Sequence, residues 1–170
     1  MKGALLVIDM QNDYLWEKRM KKFSYDTEKL VSAVNKAIVD YKERGYDIIY
    51  IAQMFPNIFT NKWFIGFSIK GTPGAEFYSG LDIVSDLYFE KNLPDTYTAG
   101  KFREHMKKNG YDEVVLCGLD ECGCVGATAK GAVKTGVKVT MLKECIGRRF
   151  PDKKIQKTRD KLSAMGVKYI

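Results

Sequence analysis

Apolar and polar positions alternate between two periods along this chain, and the alternation recurs from end to end. Residues 3–9, GALLVID, form a continuous apolar run closed by an acid, the pattern of a parallel strand buried on both faces. From Asp26 to Arg44, Leu30, Val31, Val34, Ala37, Ile38 and Tyr41 recur at helical spacing; Asp26 is placed to cap the start and Gly45 to stop the helix. A second strand is predicted at Asp47–Gln53 and a third around Asp86–Glu90. A helix follows over Thr98–Asn109, with Ala99, Phe102 and Met106 on one face and Gly110 at its end, then a fourth strand at Glu113–Cys117. Cys124–Thr135 is rich in Ala, Val and Thr and ends at Gly136, which suits a buried helix; Val137–Leu142 reads as a fifth strand. Asp152 is placed to cap a last amphipathic helix carrying Ile155, Arg159 and Leu162, and Val167–Ile170 supplies a short edge strand.

Apolar runs that alternate with helices argue for a mainly parallel sheet of five or six strands with helices on both faces, a three-layer α/β/α Rossmann-like fold. At 170 residues, the whole span 1–170 is expected to form one domain. Residues 54–80 break the pattern. They lack clean periodicity and carry Pro56, Trp63, Gly66, Gly71, Pro73 and Gly74 among many aromatics, which reads as a long functional loop and a candidate lid. Tyr14, Trp16, Phe55, Trp63, Phe64 and Phe67 together suggest an apolar pocket wall, and Tyr14, Phe55 and Trp63 are its candidate substrate contacts.

Charge narrows the picture less than it first suggests. The net charge is +7, but the 28 Lys and Arg are scattered among 21 acids, so nucleic acid is not an expected partner. No stretch approaches the length of a membrane span, and the opening apolar run reaches an acid without a small-residue cleavage site. A cytoplasmic protein with no membrane partner is expected.

The chemistry lies in the second half. Cys117, Cys122, Cys124 and Cys145 are expected to be reduced thiols. A zinc site would call for Cys-x-x-Cys pairs or added histidines, and the one histidine, His105, reads as a surface or core-edge residue of a helix. The Cys122-Gly-Cys124 pair leaves two readings open: a labile redox pair, or a catalytic thiol beside a bystander. In an open parallel sheet, ligands bind beyond the carboxyl ends of the strands. Asp9, Lys91 and Cys124 fall at or just past three such ends, and a thiol in the first turn of a helix near an ammonium and a carboxylate is equipped for nucleophilic catalysis.

Four segments in order carry a resemblance to a known family: LLVIDMQNDYL (5–15), GTPGAEF (71–77), FEKNLPDTY (89–97) and GLDECGCVGATAKGA (118–132). Together they resemble the isochorismatase-like cysteine hydrolases, relatives of the nicotinamidases and N-carbamoylsarcosine amidohydrolase. The resemblance implies strand order 3-2-1-4-5-6 and a catalytic triad of Asp9, Lys91 and Cys124, with Cys124 the nucleophile by its Cys-Val pair and Thr128. It further implies a cis peptide at Leu119–Asp120 and an oxyanion hole from the backbone N–H groups of Asp120 and Cys124. Gln53 resembles a substrate-binding glutamine of isochorismatases. The family's metal-dependent nicotinamidases carry Asp-x-His after the second strand, and IAQMFPN here has no histidine. Neither metal nor cofactor is therefore expected. The implied activity is hydrolysis of a small amide, ureide or related C–N acyl compound through a thioester. A vinyl-ether hydrolase using Asp9 without covalent catalysis, and a thiol-redox or non-catalytic metabolite-binding protein, stay open as alternatives. The resemblance also implies a homo-oligomer, a dimer or higher.

Overall fold

A computed structural model describes residues 2–170. Six strands form one parallel sheet: β1 (Gly3–Ile8), β2 (Asp47–Gln53), β3 (Tyr88–Lys91), β4 (Glu113–Gly118), β5 (Lys138–Ile146) and β6 (Lys168–Tyr169), in the order 3-2-1-4-5-6. The central strand β1 is buried along its whole length, which is why its sequence is continuously apolar rather than alternating.

Alternate β1 residues feed two cores. Leu5 and Val7 pack with the buried face of helix α2 (Thr27–Glu43), together with Tyr14 and Leu15 of the short α1 (Asn12–Leu15). Ala4, Leu6 and Ile8 pack on the other side with Phe102 and Met106 of α4 (Gly100–Asn109), Val125, Ala129 and Ala132 of α5 (Cys124–Lys134), and Leu162 of α6 (Asp152–Ala164). The sheet is thus covered on both faces, as the alternation of elements requires.

The predicted caps and stops act at α2 and α4. The Lys29 N–H donates to Asp26 Oδ1, while Gly45 and Gly110 take the left-handed conformation that ends a helix. Asp152 is the first helical residue of α6 rather than its cap, which is Pro151. Strand β5 runs to Ile146, past the predicted Leu142, because its last residues pair again with β4 beyond an irregularity between Leu116 and Gly118.

Residues 54–80 contain structure that periodicity does not reveal. Backbone bonds from Phe55 N–H to the Ser68 carbonyl and from Lys70 N–H to the Phe55 carbonyl close the base of an excursion. Its outer part is helix α3 (Phe59–Phe64), none of whose residues is buried.

Candidate active site

Each strand that ends at the site ends in a way its sequence explains. Asp9, just past β1, has φ +55, a left-handed conformation unusual for a residue with a Cβ and one that Asp tolerates better than most. Such backbone strain is retained where surrounding structure enforces it. Here the Asp9 N–H donates to the Ile51 carbonyl, and the Asp9 carbonyl accepts from the Gln11 N–H. On β4, Gly118 has φ +105, and a Cβ there would overlap the Ile8 carbonyl. Only glycine lets the chain turn there, against β1, into the segment that leads to Cys124.

Lys91, the last residue of β3, is buried, and its Nζ lies 2.9 Å from Asp9 Oδ2 and 2.7 Å from Gln53 Oε1. Two atoms of this cluster have no hydrogen-bond partner among the described residues: Asp9 Oδ1 and Gln53 Nε2. Burial works against the Lys91 ammonium, but the Asp9 carboxylate, with Cys124 beyond it, outweighs burial and holds the lysine above its ordinary range. Cys124 is the first residue of α5. Burial pushes its thiol well up, Asp9 pushes it further in the same direction, and Lys91 pulls it back. The thiol is therefore protonated at rest, with a carboxylate beside it. A helix N-terminus and a nearby ammonium favour a thiolate; desolvation is the larger effect.

Asp9, Gln53 and Cys124 line a cavity of about 250 Å³ whose aromatic walls are Tyr14, Phe23, Tyr25, Phe55 and Phe67. Lys91 stands behind Asp9 and Gln53 rather than on the wall. The rings of Tyr14, Phe23 and Phe67 meet edge to face at centroid distances of 4.8–5.8 Å. Tyr14 is fixed by a 2.7 Å bond between its hydroxyl and that of Ser68, whose own N–H donates to Asp13 Oδ2.

Trp63 does not join this wall. It lies on α3 with 74% of its surface exposed and stacks on Phe59. The bridge between Phe55 and Ile69 directs only the base of the excursion, Phe55 and Phe67, toward the cavity and leaves its helical tip outside.

The turn before Cys124 differs from its expected form in one respect. All described peptide bonds are trans, Leu119–Asp120 included, and Gly118 makes the sharp change of direction. The N–H groups of Glu121, Gly123 and Val125 donate to backbone carbonyls, whereas those of Asp120, Cys122 and Cys124 have no backbone acceptor among the described residues, and of these three residues Asp120 and Cys124 line the cavity. Asp120 also lines the cavity; its Oδ2 accepts from Arg149 Nε at 2.6 Å and from the Tyr25 hydroxyl at 2.9 Å.

The two neighbouring thiols face different surroundings. Cys124 lines the cavity, while the Cys122 sulfur lies 3.3 Å from the Thr158 hydroxyl of α6. All four cysteines are free.

Sequence reasoning missed Gln11 and Arg149. Gln11 is fully buried; its side chain accepts from the Gln53 N–H and donates to the carbonyls of Gln53 and Ala75. It thereby continues the β2 ladder with an amide side chain and fixes the residue that holds Lys91. A polar residue in the turn straight after a buried strand, with no charge partner nearby in sequence, was the available signal. Arg149 follows a strand end as Asp9 does, and that position alone marked it.

No group of three or more His, Cys, Asp or Glu able to hold a metal ion is assembled among the described residues. His105 lies on α4 within bonding distance of the Tyr111 hydroxyl and packs on Phe89. The donor set therefore does not fit a histidine-bearing zinc centre.

Residues 3–169 match the family described as the isochorismatase domain. The fold is similar to that of Pyrococcus horikoshii pyrazinamidase, solved in complex with zinc, at 24% identity and a TM-score of 0.85, covering 100% of this chain and 99% of that one. It is also similar to the N-carbamoylsarcosine amidase of Thermoplasma acidophilum, at 24% identity and a TM-score of 0.81, covering 99% and 95%. A protein of Arabidopsis thaliana described as a probable inactive nicotinamidase is 25% identical over 162 residues, 88% of this chain and 82% of its own.

Proposed function

The chain belongs to the isochorismatase family, and from that premise we propose that it hydrolyses a small amide, ureide or related C–N acyl compound through a thioester on Cys124, without a metal. The observation that carries this reading is the Asp9 carboxylate. One of its oxygens is held by Lys91 at 2.9 Å, the other has no hydrogen-bond partner among the described residues, and both Asp9 and Cys124 border one cavity. Because a relative is described as inactive, the reading rests on these residues and not on membership of the family.

In the proposed cycle the protonated Cys124 thiol gives its proton to Asp9 as the sulfur attacks the substrate carbonyl. The N–H groups of Asp120 and Cys124 would receive the oxyanion. Asp9 then returns the proton to the departing nitrogen, the C–N bond breaks and the amine leaves. Water enters, Asp9 takes one of its protons, and the hydroxide adds to the thioester. Collapse releases the acid, and the proton on Asp9 restores the thiol. Lys91 orients Asp9 through its 2.9 Å contact with Oδ2, and Gln53 offers its Nε2 to an acceptor on the substrate. The aromatic walls suit a small flat acyl group. No group of three or more His, Cys, Asp or Glu able to hold a metal ion is assembled among the described residues, and the cycle uses only the side chains and backbone of the site.

Ammonia release from a panel of small amides and ureides tests the proposal. Turnover is expected on at least one of them, with an acyl adduct on Cys124 detectable by mass spectrometry. Cleavage of a vinyl ether by a protein lacking the Cys124 thiol would instead favour acid catalysis by Asp9 alone.

A further inference from the structure

Two consecutive acids in the turn before Cys124 are each gripped by an arginine from the end of the chain. Asp120 is held by Arg149, at the cavity. Glu121 is held by Arg159 of α6, which does not line the cavity. The second pair is a complete fork: Arg159 Nε donates to Oε1 at 2.6 Å and Nη2 to Oε2 at 2.9 Å, and Glu121 is only 1% exposed. The next residue on each side also meets, Cys122 with Thr158 at 3.3 Å. The main chain of Glu121 is fixed as well. Its N–H donates to the Gly147 carbonyl, and its own carbonyl lies against Gly126 of α5, where a Cβ would overlap it.

Glu121 lies between Asp120 and Cys124, whose N–H groups, like that of Cys122, have no backbone acceptor among the described residues. For packing alone the fork is an expensive solution, since a buried ion pair contributes little net stability compared with apolar residues of similar volume. A bidentate arginine does supply directional restraint. We infer that Arg159 is a positioning residue which, through Glu121, holds the N–H groups of Asp120 and Cys124 in the mutual orientation that oxyanion stabilisation needs. This rests on the thioester reading above. Arg159 contacts neither the thiol nor the cavity, so its effect falls on acyl transfer and not on the reactivity of the sulfur.

The experiment compares two reactions of Cys124, each read by mass spectrometry at that residue. With 4-nitrophenyl acetate the acetyl group passes to Sγ, the ester C–O bond breaks, 4-nitrophenolate leaves and the thiol proton is taken up by Asp9; the carbonyl oxygen carries negative charge on the way. Alkylation by iodoacetamide displaces iodide with no oxyanion. In Arg159→Met, acetylation should fall about tenfold, part of the loss that follows removal of a whole oxyanion donor, while alkylation changes less than twofold. Arg159→Met leaves Glu121 buried and unpaired, so the double variant Glu121→Gln with Arg159→Met should regain thermal stability and yet stay slow in acetylation. Arg159→Lys, which retains the charge but not the fork, should also acetylate slowly while folding normally.

Recovery of acetylation together with stability in the double variant, or acetylation at the wild-type rate in Arg159→Lys, would make the pair merely structural and overturn the inference. So would alkylation falling in step with acetylation. If wild-type Cys124 is alkylated but never acetylated, the thioester reading itself fails, a result distinct from a wild type that acetylates and variants that do so equally well.

Discussion

Lys91 and Asp9 form an ion pair, Nζ to Oδ2 at 2.9 Å, with the two side chains 0% and 3% exposed and the other carboxylate oxygen without a hydrogen-bond partner among the described residues. A buried charge pair that uses only half of its carboxylate is a poor stabilising device, because desolving both charges is costly and the second oxygen gains nothing in return. The same arrangement suits a base that must accept a proton and give it back.

Cys124→Ala is expected to remove nearly all turnover of any amide that the protein accepts, a loss on the order of 10³-fold or more, because oxyanion donors do not replace covalent attack. Cys122→Ala should keep most of the activity, since that sulfur meets Thr158 and not the cavity. Steady-state ammonia release from both variants checks this; a near wild-type rate in Cys124→Ala rules out the thioester.

The pH dependence of alkylation should move in opposite directions in two variants. Only the thiolate reacts, so iodoacetamide labelling of wild-type Cys124 should be slow at neutral pH and rise about tenfold per unit toward alkaline pH, until the raised thiol titrates. Lys91 favours the thiolate, so Lys91→Ala should displace the curve to higher pH. Asp9 opposes it, so Asp9→Asn should displace the curve to lower pH and label faster at any given pH, although turnover is lost with the proton acceptor. A common direction of shift in the two variants would contradict the arrangement.

Prolonged dialysis against a chelator should leave hydrolysis unchanged, because no suitable cluster of ligands is present among the described residues. Loss of activity with EDTA and its return on adding zinc, tracked alongside metal content, would count against the metal-free mechanism.

Self-association should depend on α3. Phe59, Trp63 and Phe64 are 77%, 74% and 82% exposed, a cluster of apolar surface that a monomer would leave in water. Light scattering at micromolar concentration should give a mass of a dimer or more, above the 19.4 kDa of the chain, and Phe64→Asp should shift it toward the monomer. A wild-type mass of one chain at all concentrations would dismiss the interface.

Gln11→Ala should destabilise the fold by about 2–4 kcal/mol, because it strands one buried N–H and two carbonyls that the side chain now satisfies. Urea unfolding measures this. A midpoint within experimental error of the wild type would mean that water replaces the amide.

Continuous apolar runs and helical periodicity located the six strands and the helices α2, α4, α5 and α6 from the sequence alone and called for a mainly parallel sheet, because burial on two faces and amphipathic packing are written into nearest-neighbour patterns; the short α1 and α3 carry no such pattern. Asp9, Lys91 and Cys124 were legible as candidates because strand ends are predictable from the same patterns. Their meeting was not, since Lys91 reaches Asp9 across 82 positions and no local pattern encodes a distance. The strand order was implied only by resemblance, and the tertiary structure fixed it. Tertiary structure alone also decided that Trp63 stays outside the cavity while Phe55 and Phe67 line it, because a bridge between Phe55 and Ile69 turns the excursion at its base. The upward push on the Cys124 thiol is tertiary as well. A helix start and a nearby lysine favour the thiolate, but how far burial and Asp9 outweigh them depends on how completely the folded chain excludes water, which the order of residues does not specify.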